Sequence, residues 1–159
     1  DMTRRRRPTG YELLDKWGKA PVEEFPKLPE IAMDGRPGWD EWGKLLAKAV
    51  AERADCSRRK VGAVIMRPDH TVVSTGYNGA PSGEVGCLSG GCPRALSDVA
   101  PDSSYDSGPG ACVAIHAEAN ALLRASWEEM QDATIYITDK PCPGCEKLIK
   151  ATPIARIIY

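Results

Sequence analysis

The chain is 159 residues long with a formal net charge of −1, so it holds one domain, or one domain with an appendage, and carries no global basic field for gripping nucleic acid. Hydrophobic residues at 42% and charged residues at 27% exclude a disordered or fibrous chain. No apolar run approaches the ~18 residues needed to cross a bilayer, and the N-terminus lacks a signal peptide's apolar centre, so a soluble, cytoplasmic protein with no membrane partner is expected. Six cysteines are too sparse for a disulfide scaffold but enough to point to metal.

Residues 1–38 read as an N-terminal arm: a basic run from Arg4 to Arg7, five prolines, and two helical turns over Tyr11 to Trp17. The arginine run is short, and runs of that size are usually solvated. From Trp39 the pattern sharpens into one domain, 39–159. Trp39, Trp42, Leu46, Ala49 and Val50 recur at helical spacing, which predicts an amphipathic helix over 39–54. Val61 to Met66 and Thr71 to Thr75 flank Pro68-Asp69-His70 and predict a hairpin. Residues 77–111 hold seven glycines and four prolines; a loop of that length is either functional or held by something other than a core. A helix over 114–127, a strand over 133–138, a helix over 143–151 and a strand over 154–159 follow. Alternating strands and helices in the second half imply a parallel pair with a right-handed crossover, and hence a layered α/β fold. Asp1 in place of a start methionine and an end inside an apolar strand point to trimmed ends.

Two short segments carry the chemistry, His116-Ala117-Glu118 and Pro141-Cys142-Pro143-Gly144-Cys145. Cys-x-x-Cys at a helix start puts two thiols about one turn apart on one face, within reach of a single ion. Two sulfurs and an imidazole suit zinc, and three protein ligands leave a fourth tetrahedral position for water, as in a catalytic site. His116 is one of two histidines, and the other, His70, lies in a turn, so His116 is the nitrogen donor. Glu118 reads as acid and base, able to take a proton from activated water and hand it to a leaving amine; the alternative is complementation of a helix dipole. A thioredoxin-like redox pair is the competing reading of Cys142 and Cys145, and the His-x-Glu on the preceding helix favours metal. Together the segments match H-x-E…P-C-x-x-C, the signature of zinc nucleobase deaminases.

The resemblance then narrows. Cys56-Ser-Arg-Arg-Lys-Val-Gly-Ala-Val, Thr75-Gly-Tyr-Asn-Gly-Ala-Pro-Ser-Gly, His116-Ala-Glu118-Ala-Asn-Ala, Ala133-Thr-Ile-Tyr-Ile-Thr and Pro141-Cys-Pro-Gly-Cys are similar to deoxycytidylate (dCMP) deaminases, over about residues 39–159. The resemblance implies a cytidine deaminase-like fold with a central mixed sheet flanked by helices, assembly as homo-oligomers (commonly hexamers), and hydrolysis of dCMP to dUMP and ammonia for thymidylate synthesis. It implies zinc on His116, Cys142 and Cys145, with Glu118 as proton shuttle. The backbone amide of Ala117 would face the pyrimidine carbonyl, and Asn78 the sugar, although Asn also suits a left-handed turn. Arg58 or Arg59 is the candidate for the phosphate, against a solvated surface as the plainer reading. The resemblance also implies a second, structural zinc with Cys56 and Cys87 among its ligands, which Cys92 and Cys112 would complete; otherwise some are ordinary buried thiols. Activation by dCTP and inhibition by dTTP, with Mg2+ accompanying the triphosphate, belong to many members.

The runner-up readings are a tRNA adenosine deaminase, a nucleoside or free-base deaminase, and a zinc-stabilised binding module without catalysis. Balanced charge and the cysteine-bearing loop argue against the first, so nucleic acid is not an expected partner. The arginine pair argues for a nucleotide over a nucleoside or base, and Glu118, which a structural zinc does not require, argues against the last.

Overall fold

A computed structural model describes residues 35–100, 103–105 and 107–159, so the arm and its Tyr11–Trp17 turns lie outside the described residues. In chain order the elements are α1 (Trp39–Ala51), β1 (Gly62–Met66), β2 (Val72–Tyr77), a single 3₁₀ turn (Cys87–Ser89), α2 (Ala117–Leu123), β3 (Thr134–Ile137), α3 (Pro143–Lys150) and β4 (Arg156–Ile158). They form one four-stranded sheet in the order β2-β1-β3-β4. β1 is antiparallel to both β2 and β3, while β3 and β4 run parallel across α3, so the sheet is mixed as expected.

Every residue of β1 and β3 is buried, which is why both read as continuous apolar runs rather than alternating ones. One face of the sheet, with Ala63, Ile65, Ile135 and Ile137, packs under Ala117 and Ala121 of α2 and Ile149 of α3. The opposite face, with Val64, Met66 and Tyr136, packs on Ala47 of α1 and on Trp42, Leu46 and Val50. The layers touch closely: a Cβ on Gly62 would lie 2.6 Å from the Ala51 amide nitrogen, and one on Gly43 would lie 2.7 Å from the Tyr136 ring. Tyr136 donates a hydrogen bond to Asp40 at 2.8 Å, and Arg156 donates to the other Asp40 oxygen at 2.7 Å, pinning the start of α1 to β3 and β4. The Arg156 and Tyr136 hydrogen bonds hold the Asp40 carboxyl below its ordinary range, while burial and then Asp40 push Tyr136 up to about 12.

The elements expected from sequence over residues 39–159 are all present, with shifted ends. α2 begins at Ala117 rather than 114, because Ile115 is held extended in a bridge to Gly79 (Ile115 N–H to Gly79 carbonyl 2.8 Å). It ends at Leu123 rather than 127, because Ser126 opens a new turn. There the Ser126 N–H donates to Glu129 Oε2 at 3.1 Å and the Glu129 N–H donates to Ser126 Oγ at 3.2 Å, a reciprocal cap. β2 runs on to Tyr77, and β4 is three residues long.

Candidate active site

The starts of α2 and α3 carry the two signature segments. His116 is the N-cap of α2, with extended backbone (φ −67°, ψ 153°), and Cys142 is the N-cap of α3 (φ −69°, ψ 161°). Pro143 at the first position of α3 has no N–H to lose and a φ already suited to a helix. Cys142 Sγ accepts the Cys145 N–H at 3.4 Å, so the cap itself turns both sulfurs to one side. His116 Nδ1 lies 3.6 Å from Cys142 Sγ and 3.4 Å from Cys145 Sγ. Among the described residues these three form the group whose ligand atoms all lie within 4.8 Å of one another. A nitrogen at about 2.05 Å and a sulfur at about 2.3 Å from a tetrahedral zinc are about 3.6 Å apart, so the donor set fits that ion in both chemistry and spacing.

Glu118, in the first turn of α2, is only 4% exposed. Burial, then the Glu118 and Cys142 charges, push the Cys145 thiol far above its ordinary value. Burial and neighbouring negative charge disfavour a thiolate there, and a bound metal cation would offset both.

His116, Glu118 and Cys142 open on a cavity of about 270 Å³. Its lining includes Arg58, Arg59, Asn78, His116, Ala117, Glu118 and Cys142 from the residues expected to act, and also Cys56, Cys92 and Cys112. Asn78 is not among the left-handed residues of the described chain. Its side chain accepts the Val61 N–H and donates to the Arg59 carbonyl, both at 2.8 Å, and so holds the Arg58–Arg59 segment against the cavity. Sequence reasoning missed four charged or aromatic lining residues: Arg94, Tyr105, Asp139 and Lys140. The last two directly precede Pro141 and Cys142 and were findable by adjacency; Arg94 and Tyr105 sit in the glycine-rich loop with no periodic signal.

The other four cysteines share one neighbourhood. Asp55 accepts the N–H groups of Cys87 at 3.1 Å and Leu88 at 2.9 Å, bringing Cys56 beside the 3₁₀ turn. Burial and then Cys92 push Cys87 up to about 12, and burial likewise raises Cys112. Burial also acts to raise Cys92, but the backbone N–H of Ala95, the Cys87 thiol and the N–H groups of Val113 and Arg94 outweigh it, so Cys92 falls below its ordinary value. No three of these four sulfurs meet the spacing of the His116 group.

A mixed sheet with helices on both faces, and a His–Cys–Cys group beside a buried glutamate at two helix starts, define a zinc-dependent deaminase of the cytidine deaminase-like class. The comparisons narrow this. Residues 37–159 match the family model described as the cytidine and deoxycytidylate deaminase zinc-binding region, and the chain belongs to that family. The deoxycytidylate deaminase of Mycobacterium phage D29 is 51% identical over 125 residues, covering 78% of this chain and 95% of that protein. That of Saccharomyces cerevisiae is 38% identical over 134 residues, 84% of this chain and 41% of the yeast protein. The crystal structure of dCMP deaminase from the cyanophage S-TIM5 in complex with dCMP and dUMP superposes with a TM-score of 0.55 at 25% identity, covering 77% of this chain and 80% of that one.

Proposed function

We propose that this protein hydrolyses dCMP to dUMP and ammonia in a catalytic unit formed by residues 39–159, with residues 1–38 as an appended arm. The observation that carries the reading is a cavity lined by Glu118, His116 and Cys142, in which a buried carboxylate lies beside a His–Cys–Cys group spaced for zinc. His116, Cys142 and Cys145 would hold the zinc, which when bound would act as a Lewis acid and lower the pKa of water to about 7. Glu118 takes one proton from the attacking water and delivers it to the ring nitrogen beside the attacked carbon, then passes the second, from the newly added hydroxyl, to the exocyclic amino nitrogen, whose bond to carbon breaks as ammonia leaves and the carbonyl forms. Ala117 is the first residue of α2, so its N–H has no acceptor within the helix and is available to the pyrimidine carbonyl. Asn78 keeps one amide hydrogen and one lone pair beyond its backbone bonds, enough to meet the sugar. Arg58 and Arg59 are exposed on the cavity, and among the described ion pairs neither is engaged, which leaves planar guanidinium donors for the phosphate.

Ammonia release from dCMP, dCTP, deoxycytidine, guanine and a tRNA anticodon hairpin tests the reading. Release from the monophosphate alone, with dUMP as product, is the expected result; release from the hairpin overturns it.

A second, structural zinc on Cys56, Cys87, Cys92 and Cys112 belongs to the same proposal, supported by the shared neighbourhood in which Cys56 and Cys92 act on both Cys87 and Cys112. It would hold the loop that no sheet or long helix orders. Two zinc ions per chain in the purified protein are expected, and one removes the second site. The proposal extends to a homo-oligomer, for which exposed Leu123 and Trp127 provide apolar surface, to dCTP and dTTP as effectors with Mg2+, and to a cytoplasmic location.

A further inference from the structure

The loop between β2 and α2 contains a buried cation that the reaction as described does not use. Arg94 is 3% exposed, and the hydrogen bonds described for its guanidinium all go to neutral groups. Nη1 donates to the carbonyls of Ser104 at 2.9 Å and Gly110 at 3.1 Å. Nη2 donates to the carbonyls of Ser103 at 3.2 Å and Ala100 at 3.4 Å, and to Ser103 Oγ at 2.9 Å. Five acceptors from one loop converge on one planar donor, which suits a guanidinium and no other side chain.

The same guanidinium lies 4.2 Å from the centre of the Tyr105 ring, a cation–π contact. Tyr105 in turn meets His116 edge to face, with ring centres 5.7 Å apart and planes at 86°. Arg94, Tyr105 and His116 thus form one line of contact, and at its end Nδ1 of the imidazole faces the two sulfurs. An imidazole that meets its partners through one atom can still swivel about its outer torsion, where the rotamer wells are broad. A perpendicular aromatic ring beside it removes that freedom. Tyr105 belongs to no strand or helix of its own, so its place depends on the carbonyls that Arg94 gathers and on the Cys112 N–H, which donates to the Tyr105 carbonyl at 2.8 Å.

We propose that Arg94 and Tyr105 are positioning residues for His116: Arg94 fixes the Tyr105 ring, and the ring fixes the imidazole in the orientation that presents Nδ1 to the metal. The inference rests on the reading of His116 as a zinc ligand. Partners that orient a ligating imidazole commonly change metal affinity 10- to 100-fold when removed.

The chain's two histidines, His70 and His116, make imidazole nitrogen NMR a site-specific readout that the four loop cysteines do not disturb. In the full-length zinc-loaded protein, the metal-bound Nδ1 signal of His116 is followed while a competing chelator is titrated. Tyr105→Phe keeps the ring and is expected to match the parent. Tyr105→Leu and Arg94→Met are expected to release His116 at roughly 10- to 100-fold lower chelator concentration. Arg94→Lys, which keeps the charge but reaches fewer carbonyls, falls between. The double variant is expected to be no weaker than the weaker single one, because both residues act along one line. Should Arg94→Met fail to fold, Tyr105→Leu, which leaves the five Arg94 bonds in place, decides alone. A Tyr105→Leu protein that holds zinc on His116 as tightly as the parent overturns the inference. Absence of any metal-bound nitrogen signal from His116 in the parent protein instead overturns the zinc reading itself.

Discussion

Replacing Glu118 by Gln is expected to lower kcat for dCMP by about 10²- to 10⁴-fold while zinc stays bound. The amide matches the carboxylate in size and can still accept and donate hydrogen bonds, but it cannot take up a proton from water and release it to a leaving amine. The three candidate ligand atoms belong to other residues, so the substitution leaves the metal group intact. The electrostatics sharpen the expectation. After burial, the negative charge of Glu118 is the largest influence raising the Cys145 thiol. Removing that charge moves Cys145 back toward its ordinary value and makes the thiolate easier to form, so the variant should retain zinc at least as well as the parent. Ammonia release and metal content, measured on the same preparation, check both halves. A variant turning over within a few-fold of the parent removes Glu118 from the mechanism, and one that loses its zinc makes it a structural support of the site instead.

Gly76→Ala is expected to cost both stability and activity, although residue 76 touches no substrate. A Cβ there would overlap the Ala117 carbonyl oxygen and the Ala121 amide nitrogen and lie 3.0 Å from the Ala121 Cα. All three are backbone atoms of α2, so no rotamer change can absorb the methyl, and the helix carrying His116, Ala117 and Glu118 must lift from the sheet. Overpacking of this kind costs about 1–3 kcal/mol, and at roughly 2–4 °C per kcal/mol for a domain of this size the Tm should fall by several degrees. Turnover should fall with it, since displacements of about 1 Å at a reacting centre can cost on the order of 10²-fold. Gly79→Ala is the comparison, because its Cβ would lie 3.3 Å from the Asp55 Cβ, 3.7 Å from the Asp55 amide nitrogen and 3.8 Å from the Tyr77 ring, none of them an atom of α2. Thermal melts and ammonia release on the two variants test the contrast; an unchanged Tm and kcat for Gly76→Ala would show that α2 has room to spare.

Much of the fold was legible because its signals are local. The stripe from Trp39 to Val50 recurs every three or four residues, and that periodicity reports which face of α1 meets Val64, Met66 and Tyr136. The uninterrupted Val-Ile-Met run of β1 reports burial from both sides. Where expectation and structure part, a long-range contact overrides a local preference. Residues 114–116 have the composition of a helix, but Ile115 pairs with Gly79, thirty-six positions earlier in the chain, and no composition reveals that partner. Arg94 shows the same limit from the other side. A charged residue in a glycine-rich loop reads as solvated, and only the folded loop shows that Ser103, Ser104 and Gly110 turn their carbonyls inward around it.

The chemistry was likewise divided between near and far. Cys142 and Cys145 are three residues apart at a helix start, so helix geometry alone puts both sulfurs on one face, and Glu118 follows His116 by two where α2 begins, so the amino-acid sequence by itself marked the candidate donor set and its candidate acid–base partner. The two pairs are joined across 26 residues, through β3 and the packing of α2 and α3 on one face of the sheet. Tertiary structure alone decided that His116 Nδ1 meets both sulfurs, that the Arg58–Arg59 segment lies along the same cavity, and that Arg94 and Tyr105 stand behind the imidazole. Short separations are governed by backbone geometry, whereas these long ones depend on which apolar faces find each other in the folded chain.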